Sequence, residues 1–210
     1  MKRFYKKVEI SSIDVGFGIT LDDKALLSPG KTKLVVPTKT LANAIADEWR
    51  KQEDQIIPST MPFMVLSSTA VDRVRPRSDD TIDEILSFLE TDLLCYRAQE
   101  PDALVREQNE VWQPLLNWCE GLIGSAFNVT SGIMPVSQVP TLVPSARKIL
   151  RSYNDFELLG LHQFTSISGS AVIGLALSEN HIELEAAYQA AFIDDYFPVS
   201  YTHLTLPTKA

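Results

Sequence analysis

Two cysteines and three histidines are the residues of this sequence that most often act as nucleophiles, bases or metal ligands. The cysteines are Cys95 and Cys119, and the histidines are His162, His181 and His203. No histidine pair has a spacing that would place both on one helix face, and neither cysteine has a companion thiol in a metal-binding motif. The sequence therefore predicts no metal site.

Cys95, His162 and Asp92 are the residue types that a thiol hydrolase would need for its catalytic triad. Such an enzyme needs a nucleophile, a base and an acid that orients the base. No nucleophile elbow supports this triad, and the leucines around His162 are typical of a hydrogen-bonded histidine on a helix. Asp194 and Asp195 do not predict a paired acid and base, because neighbouring helix residues point in different directions. A small thiol- or carboxylate-dependent hydrolase stays an alternative.

Glycine motifs for phosphate binding are missing from the sequence. No Gly-rich loop is followed by Lys and Ser or Thr, and no dinucleotide fingerprint follows a strand. Gly16 and Gly18 lie within one predicted strand, where glycine usually marks a bend or a close approach of chain segments. We therefore expect no nucleotide and no other cofactor.

The composition is typical of a soluble globular protein. Of the 210 residues, 45% are hydrophobic and 22% are charged, which excludes disordered, collagen-like and disulfide-scaffold chains. The two cysteines are expected to be buried thiols in a reducing compartment. No apolar run approaches the roughly 18 residues of a membrane span, and no secretory signal opens the chain. A pI near 4.9 without a basic stripe argues against nucleic-acid binding.

The charge is unevenly divided along the chain. Residues 1–77 carry 13 Lys and Arg against 9 Asp and Glu, a net charge of +4, whereas residues 78–210 carry 6 against 18, a net charge of −12. The asymmetry indicates two units, which attract each other or a partner. We predict an α+β protein in which a small antiparallel β-rich domain that ends in helices, residues 1–77, precedes a larger, mostly α-helical domain, residues 78–197.

The first unit begins with segments of alternating polarity. The clearest of them, residues 15–21, predicts a strand that ends at a turn signal, and its neighbours predict a small antiparallel sheet. Apolar residues four apart then predict a helix that begins at Thr38 or Thr40. Residues 61–74 predict a second helix. The residues expected to be buried on that helix are Phe63, Leu66, Ala70 and Val74.

The second unit is mostly helical in pattern. Its first helix is expected to bury Ile82, Ile85, Leu86 and Leu89. A later amphipathic helix contains Pro114, which predicts a kink or a break. Residues 158–177 predict one long apolar helix, and Asn180 and Glu183 resemble a capping box that opens a last helix.

A stretch of small residues, 166–171, falls in the middle of the predicted long helix. Small side chains let another helix approach closely. Two interpretations stay open: packing within the chain, which the spacing favours, and a shallow groove for a partner.

Short motifs also occur in a fixed order between residues 2 and 197. They are Lys2-Arg3-Phe4-Tyr5-Lys6, Pro37-x3-Leu41-Ala42-x-Ala44-Ile45-Ala46-x-Glu48-Trp49-x2-Gln52, Ile57-Pro58-x2-Met61-Pro62, Thr69-Ala70-x-Asp72, Thr91-Asp92-Leu93-Leu94-Cys95-Tyr96-Arg97-Ala98, Trp112-x-Pro114-Leu115-Leu116-x-Trp118 and Ser168-Gly169-Ser170. Each is weak alone, but their order and spacing are specific. Together they resemble the ATP synthase assembly chaperones that protect the alpha subunit of the catalytic head.

The resemblance implies an N-terminal β-rich domain, a C-terminal helical domain and no enzymatic activity. It implies a chaperone that binds the unassembled alpha subunit and prevents its aggregation before alpha pairs with beta. Family members act in mitochondria or in the cytoplasm of related bacteria. We expect the bacterial cytoplasm, because no transit peptide is recognised, and the mitochondrial matrix if the source is eukaryotic. A scaffold for another synthase subunit is a further alternative.

The resemblance also implies roles for particular residues. It places a client-binding acidic position near the end of the last helix, and we assign that role to Asp194 first and Asp195 second, with Tyr196 beside them. The other signature residues, structural or binding, are Trp49, Asp92, Tyr96, Arg97, Trp112, Ser168 and Gly169. Residues 198–210 depart from the family pattern and do not predict a continuing helix, so we interpret them as a non-native tail.

Overall fold

The computed structural model describes residues 1–132 and 134–202. The chain divides into two compact units, the first Met1–Ser78 and the second beginning at Asp79. The first contains an antiparallel sheet with helices and the second is mostly helical, so the predicted α+β class is confirmed. The domains predicted at 1–77 and 78–197 stay a prediction, because compactness alone does not show that each unit folds by itself.

The sheet of the first unit is built around its second strand. The strands are β1 (Val8–Ile13), β2 (Gly16–Leu21), β3 (Lys24–Ala25) and β4 (Val35–Val36). β2 pairs antiparallel with β1 along its whole length, and with β3 and β4 along its other edge. Asp22 and Asp23, with φ of 47° and 65°, join β2 to β3. Positive φ at both residues of a two-residue loop matches the twist of a hairpin.

Gly16 begins β2 where two chain segments approach closely. Its φ is 141°, and a Cβ atom here would lie 2.5 Å from the carbonyl oxygen of Val36. A larger residue would therefore push β4 away from β2. The interpretation of this glycine as a point of close packing is confirmed.

Two helices complete the first unit, α1 (Lys39–Arg50) and α2 (Pro62–Thr69). The Thr38 side chain accepts a hydrogen bond from the Leu41 amide at the start of α1, which confirms the predicted helix start. α2 continues directly into a π-helical turn, Ala70–Val74, and then a 3₁₀ turn, Arg75–Arg77.

The predicted buried face of the second helix is wrong in part. Ala70 and Val74 are buried, but Phe63 and Leu66 are 47% and 46% exposed. Met64 is the apolar side chain that α2 itself buries. The π-helical turn inserts an extra residue into the helical repeat, so a face extrapolated backwards from Val74 with α-helical periodicity does not coincide with the buried face of α2.

The second unit surrounds an apolar central helix. Its helices are α3 (Ser78–Glu90), α4 (Asp102–Ile123), α5 (Leu142–Leu150), α6 (Asp155–Ser168), α7 (Ala171–Ser178), α8 (Leu184–Ala191) and α9 (Ile193–Thr202). A short parallel pair, β5 (Tyr96–Arg97) and β6 (Thr130–Ser131), accompanies them. α7 is apolar on all sides and packs against α4, α6 and α8, as expected of a fully buried helix.

Several helix expectations in this unit are wrong. The single helix over residues 158–177 is divided into α6 and α7. The break considered at Pro114 does not occur, because α4 continues through this exposed residue, whereas a kink at the same place stays a prediction. Asn180 and Glu183 form no capping box, because Glu183 precedes α8 without a side-chain cap bond and Asn180 has a φ of 55°.

The last predicted helix is also divided, because Phe192 leaves helical geometry between α8 and α9. α9 extends to Thr202, so the expectation that residues 198–202 do not continue the helix is wrong. Residues 203–210, the rest of the interpreted non-native tail and the site of His203, lie outside the described residues.

Candidate functional site

Asp92 connects the signature segment before α4 with the start of α7. Its carboxylate accepts hydrogen bonds from the Ser170 hydroxyl at 2.7 Å, the Val172 amide at 3.0 Å and the Leu94 amide at 3.1 Å. The side chain is fully buried. A buried carboxylate that accepts amides at a helix N-terminus is stabilised by hydrogen bonding and by the helix dipole. Asp92 is therefore a structural tie within the second unit.

The predicted Ser168-Gly169-Ser170 signature is the break between α6 and α7. Gly169 ends α6 with a φ of 70°, a left-handed conformation that glycine adopts without cost. Ser170 then caps α7 by accepting a hydrogen bond from the Ile173 amide at 3.1 Å. The small residues thus end one helix and begin the next, rather than lying in the middle of a single helix.

The side chains of Cys95, His162 and Asp92 do not form the hydrolase triad considered from the sequence. Burial raises the pKa of the Cys95 thiol to about 12, so Cys95 is protonated at neutral pH. His162 pairs with Glu84 at 2.7 Å, whereas the Asp92 carboxylate is bound by Ser170 and backbone amides. Burial also raises the pKa of Asp92 to about 6. Cys95 and Cys119 are free and buried, as predicted.

Arg97 is a buried cation held by oxygen atoms of uncharged groups. Its guanidinium donates to the carbonyl oxygens of Leu94 at 2.8 Å and Gln108 at 3.0 Å, and to the side-chain oxygens of Asn109 and Gln113. It also lies 5.4 Å from the centre of the Trp112 ring, within the range of a cation–π contact. Burial lowers the pKa of Arg97.

Gln108 joins this buried cluster to the predicted client-binding aspartate. Its Oε1 accepts the Ala98 amide at 2.7 Å, and its Nε2 donates to Asp194 Oδ1 at 2.7 Å. Trp112 Nε1 donates to the Ala190 carbonyl at 2.8 Å, between α8 and α4. The signature residues around Arg97 therefore position the start of α9. The helical pattern of the sequence gives no signal that distinguishes Gln108, so sequence reasoning missed this role.

The three predicted binding residues all lie near the start of α9. Asp194, Asp195 and Tyr196 are exposed. The Tyr196 hydroxyl is 2.6 Å from the Tyr188 hydroxyl on α8. Their role in binding a client stays a prediction.

An apolar groove of about 360 Å³ lies between α6 and α8. Ile167 on α6 and Leu184 on α8 line it and remain 68% and 63% exposed. Tyr188 also lines it, so the tyrosine pair places Tyr196 next to the groove. Exposed apolar surface of this kind marks interaction sites. Sequence patterns missed Ile167 because they treated residues 158–177 as one helix.

The surface formed by the last helices is acidic. Residues 152–197 contain seven Asp and Glu and no Lys or Arg. Glu185 lines the groove and Asp195 follows it on α9. The groove is therefore an apolar surface in an acidic environment, which favours a partner that carries basic residues.

Two further signature residues, Trp49 and Tyr96, do not line this groove. Trp49 belongs to the first unit, where its side chain is buried. Its backbone carbonyl oxygen accepts a 2.6 Å hydrogen bond from the Tyr5 hydroxyl. Tyr96 is half-buried in β5, opposite Thr130 of β6. Ser168, in contrast, lines the groove next to Ile167.

No helix within residues 1–132 and 134–202 is long and apolar enough to span a bilayer. No group of three or more His, Cys, Asp or Glu side chains within the same ranges is arranged to hold a metal ion.

Comparison with known proteins places this site in a family. Residues 2–120 match the family model for the ATP12 chaperone protein. The chain is similar to the solved structure of Atp12 from Paracoccus denitrificans, at 34% identity and a TM-score of 0.89 over 95% of this chain and 86% of that one. An aspartate-to-lysine mutant of that protein matches at 34% identity and a TM-score of 0.90, with the same coverage.

The Atu1473 protein of Agrobacterium tumefaciens is also similar, at 36% identity and a TM-score of 0.85, over 95% of this chain and 76% of that one. A family model that spans more than half of the chain and structural matches above 30% identity agree with each other. The chain therefore belongs to the ATP12 chaperone family, and its role is that of a chaperone in ATP synthase assembly.

Proposed function

We propose that the chain binds the unassembled alpha subunit of the ATP synthase catalytic head and prevents its aggregation until alpha pairs with beta. The observation that carries this proposal is the exposed apolar groove between α6 and α8, bordered by Tyr196 on α9. The proposed contacts are Ile167 and Leu184 in the groove, together with Asp194 and Asp195 near the start of α9.

The physical reason is the apolar interface that a subunit exposes before its partner arrives. Such a patch associates non-specifically, and a chaperone that covers it must later release it. A groove of about 360 Å³ with an acidic surrounding suits release better than a large dry interface does. Beta would displace the chaperone by competing for the same surface of alpha, with no nucleotide and no catalysed reaction.

The buried signature residues would serve this function indirectly. We assign to Asp92, Arg97 and Trp112 the task of holding α7, α8 and the start of α9 in place. Trp49 would stabilise the first unit. The proposed site of action is the bacterial cytoplasm, or the mitochondrial matrix if the source is eukaryotic.

A binding assay with isolated alpha subunit tests the proposal. Asp194→Lys reverses one exposed charge near the start of α9, and we expect it to weaken alpha binding by about tenfold or more without unfolding the chain. Glu110→Lys is the matched control, because Glu110 is an exposed acid on α4 and the charge change is the same. Equal binding by both variants would remove Asp194 from the client surface.

The identity of the client needs separate measurements. We expect the intact chain to suppress the aggregation of alpha and to leave an unrelated aggregating protein unprotected. Equal protection of both would indicate a generic holdase. Capture of beta but not alpha in parallel pull-downs would instead support a scaffold for another subunit.

A further inference from the structure

A second apolar cavity lies wholly within the first unit, whereas the residues proposed to bind alpha belong to the second unit. It measures about 540 Å³ and is lined by residues from the segment after β3, the end of α1, α2 and the π-helical turn. This volume falls within the range of about 300–1,000 Å³ that is typical of ligand sites. It is not explained by the client-binding proposal.

The lining of this cavity is apolar and adaptable. Three methionines, Met1, Met61 and Met64, line it together with Trp49. Methionine side chains are flexible and polarisable, and they are frequent at surfaces that accept varied apolar partners. Val65 also lines the cavity and is 47% exposed, so part of the lining is reachable from solvent.

A cation without a partner lies at the same cavity. Arg73 lines it, is exposed, and makes no ion pair or hydrogen bond to another described residue. The neighbouring Asp72 also lines the cavity and keeps its negative charge, but it forms no ion pair with Arg73. Its carboxylate instead accepts hydrogen bonds from the Ser28 hydroxyl at 2.6 Å and the Gly30 amide at 2.8 Å. Arg73 is therefore available to an anionic group from outside.

Two further features of this cavity are typical of a binding site, the π-helical backbone at Arg73 and the unpaired indole N–H of Trp49. Arg73 belongs to the π-helical turn Ala70–Val74, and such turns are frequent at functional sites. The Trp49 indole N–H is buried without a hydrogen-bond partner among the described residues. Buried polar groups are normally paired, and a peptide carbonyl that enters beside Trp49 would supply an acceptor.

We propose that this cavity binds an extended peptide segment in which two or three apolar side chains adjoin an acidic residue. The apolar side chains occupy the space between Trp49 and the methionines, and the carboxylate pairs with Arg73. The net charge of +4 over residues 1–77 favours such an acidic segment. The proposal does not depend on alpha being the client, because it concerns a different unit and a different peptide chemistry.

Indole NMR of the full chain, labelled with ¹⁵N, tests this site with the peptide acetyl-Leu-Phe-Glu-Leu-amide as the probe. We expect a saturable shift of the Trp49 Nε1–H resonance, whereas the peptide with Lys in place of Glu should bind at least fivefold more weakly. The resonances of Trp112 and Trp118 show whether the second unit stays folded. No saturable shift of Trp49, or equal binding of both peptides, would overturn the proposal.

Matched variants locate the contact. Val65→Gln should weaken the acidic peptide at least fivefold, whereas Leu66→Gln should not, because Leu66 is equally exposed on the same helix but does not line the cavity. Arg73→Glu should abolish the preference for the acidic peptide, and Lys24→Glu, an exposed charge reversal outside the cavity, should preserve it. Equal effects within either pair would also overturn the proposal.

Discussion

The Ser170 hydroxyl donates a 2.7 Å hydrogen bond to the carboxylate of Asp92, 78 residues earlier in the chain. Ser170 also caps α7 through the Ile173 amide, and Asp92 accepts the Val172 amide of the same helix. The two residues together satisfy amides at the start of α7 that no residue within the helix can pair. The break between α6 and α7 is thus stabilised by a residue from another part of the chain.

The Asp92 carboxyl group should make the stability of the fold depend on pH. Burial raises its pKa to about 6, above the value of about 3.9 in an unfolded chain. Between these two pH values the folded state holds a proton that the unfolded state has lost. The contribution of protonated Asp92 to the free energy of unfolding is therefore complete below pH ~4 and is lost as the pH rises through about 6.

Asp92→Asn removes this dependence and isolates it. We measure the free energy of unfolding with urea and subtract the value of the variant from that of wild type. We expect this difference to be about 1 kcal/mol larger at pH 5.5 than at pH 7.5. Both values lie above the pI near 4.9, where the chain keeps a net charge. A difference that is constant or grows with pH would contradict the raised pKa.

Replacement of Gly174 by alanine should be tolerated only if the Thr165 side chain moves. A Cβ atom at Gly174 would lie 2.7 Å from Thr165 Oγ1 and 2.9 Å from Leu161 Cδ1, so Gly174→Ala should cost about 1–3 kcal/mol by overpacking. Thr165 Oγ1 is buried without a hydrogen-bond partner among the described residues. Thr165→Ala should therefore recover part of the loss in the double variant.

Gly169 provides the control for this coupling. Its φ is 70° and an added Cβ would meet no atom within 4 Å, so Gly169→Ala should cost about 1–2 kcal/mol through backbone strain alone. Thr165→Ala should not reduce that cost. Calorimetric unfolding of the two glycine variants, of Thr165→Ala and of the two double variants measures both effects, and the same recovery at both glycines would refute the steric explanation.

Arg97 should not be replaceable by lysine. Its planar guanidinium donates to four oxygens in different directions and lies next to the Trp112 ring. A lysine ammonium has three donors and no planar fork, so Arg97→Lys leaves acceptors unpaired and should destabilise the fold by about 2–4 kcal/mol.

Arg106→Lys is the matched control for this substitution. Arg106 is exposed on α4, and its replacement should stay within about 0.5 kcal/mol of wild type in urea unfolding. A loss for Arg97→Lys no larger than that of the control would show that the buried guanidinium network contributes little.

The groove side chains should affect client binding more than stability. Ile167 is exposed in the free chain, so Ile167→Ser should leave the unfolding midpoint nearly unchanged. If alpha covers this residue, the lost burial of about 1–2 kcal/mol should weaken alpha binding by about tenfold in a titration. Met134→Ser removes an exposed apolar side chain outside the groove, and equal losses for both variants would contradict a specific groove.

Local patterns predicted much of the fold because neighbouring residues decide it. Thr38 caps α1 through an amide three residues later, and Asp22 and Asp23 form a turn from their own conformations. The stripe predicted for the first helix of the second unit is buried in α3. In these cases the residues that determine the structure lie within one turn of the chain.

Tertiary contacts decided the rest, and above all the candidate site. The apolar pattern of residues 158–177 is uniform enough for one helix, but Gly169 and Ser170 divide it with help from Asp92. The division positions α6 and α8 on either side of the groove. A partner 78 residues away leaves no periodic signal in the sequence, so the pattern alone could not predict the break.

The sequence by itself determined the α+β class, the charge asymmetry and the family resemblance, because these follow from composition, periodicity and motif order. Only the tertiary structure brought Gln108 to Asp194, 86 residues apart, and left Ile167 exposed. Which apolar side chains remain exposed depends on how helices pack against one another, and that is a property of the folded chain rather than of any segment.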